Sequence, residues 1–311
     1  MEEKKCFDVF NNHDRFGFPA GIHRITAGKG GESILICGEE KNVLLDCGMA
    51  YCGPELTENL KQTLKAETLD IILLSHSHYD HIGALPYVRE AYPGATVLGA
   101  SHAQKILPRP GARKLMKELG ETAREKYAEG VFHPILTEGL SVDRVIGDGD
   151  RIPLGGRSLK VMETKGHTDC SLSFFLEPDK ILFASESTGI LEKRDYVHTP
   201  ILKSYEDAQV SFEKCKNCGA KQIVLPHFGL LPSYFNEEYW TLYEKELQSK
   251  RQYLARLASQ GFSENEIFQK YADTYWNPIK SEEQPYEAFI INSRHIVKVL
   301  LQSLENEEQT G

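Results

Sequence analysis

No run in this 311-residue chain is long and apolar enough to span a bilayer, so neither a membrane helix nor a membrane partner is expected. The opening residues, Met1-Glu2-Glu3-Lys4-Lys5-Cys6, lack the apolar centre of a secretion signal, and the sequence predicts a cytoplasmic protein. Basic residues are in deficit: 36 lysines and arginines face 45 aspartates and glutamates, a formal charge of -9. An acidic surface repels phosphate backbones, which argues against nucleic acid as a partner. The seven cysteines (Cys6, Cys37, Cys47, Cys52, Cys170, Cys215, Cys218) are odd in number and have no framework of spacings, as expected of reduced thiols. Cys215 and Cys218 form a C-x-x-C pair, but no second pair accompanies them to complete a zinc site. A Gly-x-Ser-x-Gly elbow is also missing, which excludes a serine nucleophile of that type.

What the chain does hold is a dense group of metal-ligand residues. Leu69-Asp70-Ile71-Ile72-Leu73-Leu74 is a continuous apolar run of the kind found in buried strands. Beyond it, Ile82, Leu85, Val88 and Tyr92 recur at helical spacing up to the Pro93-Gly94 stop. His76, His78, Asp80 and His81 occupy the turn between the two. A tight turn can aim His76 and His78 one way and Asp80 and His81 another, which suits two adjacent ions. Neutral imidazoles and a carboxylate accept zinc, iron or manganese alike.

The pattern His-x-His-x-Asp-His, followed by Gly83, resembles the signature of the metallo-β-lactamase superfamily. The resemblance implies an α/β fold, a four-layer αβ/βα sandwich with a dinuclear site along one edge. It also makes demands further along the chain. Asp46-Cys47-Gly48 stands where the family has Asp-x-Gly, so Asp46 is either a support for the ligand histidines from behind or an acceptor of turn amides. His167 follows a strand and Gly166, and would join His76 and His78 on the first metal. Ser185-Glu186 stands where the family usually has Gly-Asp. Glu186 either bridges the metals, its extra methylene taken up by the backbone, or holds a single metal or a water. His227, in Pro226-His227-Phe228-Gly229, would complete the second set with Asp80 and His81.

The resemblance covers residues 21–230, and we place the metallo-β-lactamase-like domain at 1–235. Short β-type runs fill 22–26, 33–37, 42–46, 95–99, 142–146, 151–154, 159–163, 172–176, 180–184 and 222–225. Helices are expected at 54–67, 82–92 and 101–107. A polar helical insert at about 110–130, with Leu115, Leu119 and Tyr127 as its apolar stripe, is either a lid over the site or a solvated helix. Tyr196 and His198 fall in a loop after the bridging position and are candidates for touching substrate. Cys170 is a candidate exposed thiol near the site. His13, His23, His102, His133 and His295 have no partners at ligand spacing.

Residues 236–311 turn helical and amphipathic, with one apolar face at 239–257, a capping box at Ser263-x-x-Glu266, and a last helix at 285–304. This extension is similar in layout to that of the quinolone-signal response type of thioesterase. Its apolar faces need cover from the sandwich or from a second copy, and we expect a homodimer. The resemblance implies a hydrolase of a thioester, ester or lactone that acts through a metal-bound hydroxide. Its two divalent ions would be zinc, iron or manganese, and Asp80 would hold the hydroxide's proton as well as its metal. Alternatives are a regulatory protein with a vestigial site, which the unusual Glu186 would suit, and a metal-dependent phosphodiesterase. An oxidoreductase would need iron, oxygen or a flavin partner, and no flavin-binding segment follows the metal domain.

Overall fold

A computed structural model describes residues 10–310; Cys6 lies outside them. Short apolar runs pair into two six-stranded sheets. The first contains β1 (Ile22–Arg24), β2 (Ile34–Cys37), β3 (Asn42–Leu45), β4 (Ile71–Leu73), β5 (Thr96–Gly99) and β6 (Arg144–Val145), side by side in chain order. The second runs in the order β14-β13-β10-β9-β8-β7, built from β7 (Arg151–Gly155), β8 (Arg157–Glu163), β9 (Leu172–Glu177), β10 (Ile181–Phe183), β13 (Gln222–Leu225) and β14 (Gly229–Leu231). β11 (Ile190–Lys193) and β12 (Tyr196–His198) make a separate hairpin, so the segment expected to be a loop at Tyr196 and His198 is a strand. The run at 142–146 contributes only two residues of strand.

The helices are α1 (Asn12–Phe16), α2 (Gly53–Leu64), α3 (Tyr79–Ile82), α4 (Leu85–Ala91) and α5 (Ser101–Ile106), followed by α6 (Pro110–Tyr127) and α7 (Tyr205–Lys216). The extension supplies α8 (Asn236–Ser259), α9 (Glu264–Tyr275), α10 (Pro278–Glu283) and α11 (Tyr286–Thr310). The helix expected at 82–92 is α4, and a separate short helix, α3, precedes it in the ligand-bearing turn. The capping box at Ser263 and Glu266 is formed in both directions. Among the described residues, no helix is long and apolar enough to cross a membrane.

Alternation along the second sheet explains why helices lie on both sides of the pair. Phe174, Ile181, Phe183 and Val224 point into the core between the sheets. Their neighbours Phe175, Leu182, Ile223 and Leu225 point the other way, into a second core with Phe212, Tyr239, Tyr243, Leu247, Ile296 and Leu300. The apolar stripes of the extension are therefore covered within the chain. On the outside of the first sheet, Leu56, Leu60, Leu85 and Val88 of α2 and α4 do the same.

β3, β4 and β5 run parallel, with Leu45 beside Leu73 and Leu73 beside Leu98, so the chain leaves β3 and β4 at one edge. In the second sheet β10 and β13 are also parallel, with Phe183 beside Val224. Two backbone hydrogen bonds tie the sheets together there: Leu172 N–H to Ser75 O at 2.7 Å, and Glu32 N–H to Pro226 O at 2.6 Å. The loops that follow β3, β4, β8, β10 and β13 therefore meet along one seam.

Candidate metal centre

Two groups of ligand atoms converge on that seam: His76, His78 and His167, and Asp80, His81, Glu186 and His227, each group lying within 4.8 Å. In the first, Nε2 of His167 is 3.0 Å from Nδ1 of His78, and the ring centroids of His76 lie 4.7 and 5.0 Å from those of His78 and His167. In the second, Nε2 of His81 and Nε2 of His227 are 3.2 Å apart. Glu186 reaches both. Its Oε2 is 3.3 Å from His167 Nε2, while its Oε1 is 2.7 Å from His81 Nε2 and 3.1 Å from His227 Nε2. Asp80 Oδ2 lies 3.7 Å from His227 and 3.8 Å from His81.

The surroundings fix which ring nitrogen faces inward. His167 donates from Nδ1 to Pro200 O at 2.7 Å, which leaves the Nε2 lone pair for a ligand. His81 donates from Nδ1 to Asp46 Oδ2 at 3.0 Å. His76 Nδ1 lies 3.0 Å from the Ser75 hydroxyl, and that hydroxyl donates to Asp46 Oδ2 at 2.5 Å. Asp46 Oδ1 also accepts the Ser75 N–H at 2.8 Å. Asp46 adopts φ +56°, a left-handed conformation that aspartate tolerates better than most residues, and its carboxylate supports histidines of both groups. Gly31 packs flat against His81: a Cβ there would stand 2.4 Å from Nδ1 of the ring.

These residues fit divalent ions. His76 Nε2 is buried without a hydrogen-bond partner, a costly condition for a ring nitrogen that faces no cation. Burial pushes His76 well below the ordinary histidine range, and His78 down to about 3, which keeps both in the neutral form that ligates. Burial also disfavours charge on His81 and His227. It is outweighed by Asp80, Asp46 and Glu186 at His81 and mainly by Glu186 at His227, and both are raised. Burial would raise Glu186, but His167 and His227 hold it well below the carboxylate range.

The loop that carries Glu186 is braced by the extension. Tyr239 donates to Thr188 O at 2.8 Å and to Gly189 O at 3.1 Å, and Tyr243 to Ser187 O at 3.0 Å. The residue that departs from the expected Gly-Asp thus sits on a backbone held by α8.

A model of the metallo-beta-lactamase superfamily matches residues 28–227, a span that begins before Asp46 and ends on His227. The chain belongs to this superfamily. It is similar to a metallo-β-lactamase fold-containing protein of Sulfurisphaera tokodaii, 24% identical over 70% of this chain and 82% of that one. The crystal structure of that archaeal protein matches with a TM-score of 0.55 and 26% identity, over 72% of this chain and 86% of its own. An anaerobic nitric oxide reductase flavorubredoxin of Aeromonas salmonicida is 24% identical over 64% of this chain and 33% of its own. A hydroxyacylglutathione hydrolase of Rhizobium meliloti is 27% identical over 37% of this chain and 32% of its own.

A cleft of about 150 Å³ opens beside the ligand groups. His78, Asp80, Glu186 and His227 form its floor, and Leu115, Leu119, Ile190, Ala288 and Ile291 give it apolar walls. Leu115 and Leu119 therefore face the cleft, while the face of α6 packed on the body is Met116, Gly120 and Ala123. The insert is a wall of the cleft, not a solvated helix. His198 lines the cleft. Tyr196 does not; its ring lies against the Lys250 ammonium, 5.6 Å away. Cys170 is buried and donates to the Ser77 hydroxyl, so the exposed thiol expected there is absent.

Three contributors escaped the sequence reading. Glu192 is the extra residue of a bulge between Leu191 and Lys193, and it forms a buried ion pair with Lys280 of α10, both lining the cleft. The third, Lys250, stands fully buried among Tyr243, Leu247, Leu254 and Leu257. A lysine in register with an apolar helix face was the available signal. Nothing local marks Lys280 or Glu192, because α10 reaches the cleft only through tertiary packing.

Proposed function

We propose that the chain is a hydrolase that cleaves a thioester, ester or lactone at a centre of two divalent ions, zinc or iron first among the candidates. The Glu186 carboxylate, which lies between the groups and reaches His76 and His167 of one and His81 and His227 of the other, is the observation that carries this reading. His76, His78 and His167 would hold one ion and Asp80, His81 and His227 the other, with Glu186 shared. Two such ions supply Lewis acidity and a water whose pKa falls toward neutrality.

The remaining roles fall to the chain. Asp46 and the Pro200 carbonyl keep the ring protons on the outer nitrogens, so that the inner lone pairs stay free. Asp80, on the cleft floor, is placed to take a proton from the attacking water at its carboxylate. Leu115, Leu119 and Ile291 give the cleft an apolar wall against which an acyl portion would pack. The enclosed space is below the roughly 300–1,000 Å³ of sites for drug-sized ligands, which favours a short acyl or lactone portion. The name of the Rhizobium relative, with its hydroxyacyl conjugate of glutathione, supports a thioester as the first substrate to try.

Elemental analysis of purified protein and a panel of thioesters, esters and lactones test the proposal. About two ions per chain are expected, with loss of metal and turnover in His78→Ala and His227→Ala. Full metal content in both variants would overturn the ligand assignment. Two ions without turnover would favour the regulatory reading. Iron with consumption of nitric oxide would favour a redox centre of the kind the flavorubredoxin's name describes.

A further inference from the structure

Lys250 is a cation with no exposed surface, and it belongs to neither ligand group. Its Nζ donates to Thr199 Oγ1 at 3.1 Å and lies 3.3 Å from Nδ1 of His198, with Glu246 Oε1 at 3.7 Å. A buried ammonium is costly unless its hydrogens find acceptors, so Nδ1 of His198 is engaged as one of them. An ammonium has three donors and no acceptor, which forbids a proton on that nitrogen. The His198 ring therefore carries its proton on Nε2. That atom has no hydrogen-bond partner among the described residues and is not among the buried unpaired ones, and the ring lines the cleft together with Glu186 and His227. Burial and the adjacent Lys250 charge keep the imidazole neutral.

We propose that Lys250 is a positioning residue that locks His198 in the Nε2–H tautomer, so that His198 presents a hydrogen-bond donor to the carbonyl oxygen of the substrate. The donor role rests on the hydrolase reading; the tautomer does not. A donor-only group at this point selects substrates with an acceptor oxygen beside the scissile bond and strengthens as negative charge develops on that oxygen. The α8 helix thereby contributes to the reaction from the far side of the second sheet.

The test is nitrogen-15 NMR of histidine-labelled protein near neutral pH, with His198→Gln to assign the signals. The wild-type ring should show a protonated Nε2 and a bare Nδ1. Lys250→Met, which keeps the length and removes the donor, should release His198 into a mixture of tautomers. It should also lower kcat about tenfold, with KM and metal content nearly unchanged. A wild-type ring protonated on Nδ1 overturns the proposal, as does a folded Lys250→Met protein with the parent tautomer and kcat. If Lys250→Met does not fold, the wild-type spectrum decides. Parent protein that shows the expected tautomer yet hydrolyses nothing would overturn the hydrolase reading and the donor role together, leaving the tautomer alone.

Discussion

Asp46 Oδ2 accepts from His81 Nδ1 at 3.0 Å while the same carboxylate takes both the hydroxyl and the amide of Ser75, whose hydroxyl lies against His76. One buried carboxylate thus orients a ring from each ligand group. Asp46→Asn keeps the shape but places an amide N–H against one of three donors. Metal affinity should fall by about 10–100-fold, read by competition with a coloured chelator. Unchanged affinity would remove Asp46 from the site's support.

Glu186 gives a sharper test of the two-ion arrangement. Glu186→Gln removes the negative charge shared between the groups and should lose at least one ion along with most of the turnover. Glu186→Asp keeps the charge on a shorter arm, over a loop held by Tyr239 and Tyr243. It should retain metal and lose part of the activity. Two ions and parent turnover in Glu186→Gln would show that Glu186 is no ligand.

Metal uptake should depend on pH with a definite sign. In the metal-free protein His81 and His227 hold protons to higher pH than ordinary histidines, because the neighbouring carboxylates outweigh burial. A cation must displace those protons, so apparent affinity should rise with pH above the ordinary value of about 6.5 and level off once both rings are neutral. Titrations across that range would show it, and a flat affinity from acid to alkaline pH would contradict it.

Gly31 provides a steric test that leaves every candidate ligand residue unchanged. A Cβ there would lie 2.4 Å from the His81 ring, which Asp46 holds in place and which cannot swing aside freely. Gly31→Ala should deplete the Asp80–His81–His227 group of metal while leaving the His76–His78–His167 group loaded. Loss of about one ion per chain by elemental analysis is the expected result. A full complement would mean that the loop yields without disturbing His81.

The sequence reading succeeded where chemistry and local pattern coincide. A buried strand that ends in His-x-His-x-Asp-His needs no partner to be noticed, and the strands that deliver His167, Glu186 and His227 announce themselves by apolar runs. It failed where burial depends on a distant element. Tyr196 and His198 read as loop because a three-residue strand has little pattern, and its pairing with β11 arises from the hairpin register. Leu115 and Leu119 read as an apolar stripe that fitted a lid and a solvated helix equally, and only the packing of Met116, Gly120 and Ala123 on the body turns the leucines toward the cleft.

By itself the sequence determined the candidate-ligand types, their order along the chain and the strands that present them, because these follow from side-chain chemistry and from alternation over a few residues. Only the tertiary structure decided that the loops after five strands share one seam, that Glu186 spans both groups, and that Lys250, Lys280 and Glu192 stand beside the chemistry. Those outcomes depend on which helix covers which face of the second sheet. That choice is made by the summed burial of Tyr239, Tyr243, Leu247 and Leu300 against Phe175 and Leu182, a free energy spread over residues far apart in the chain and visible in no single stretch of it.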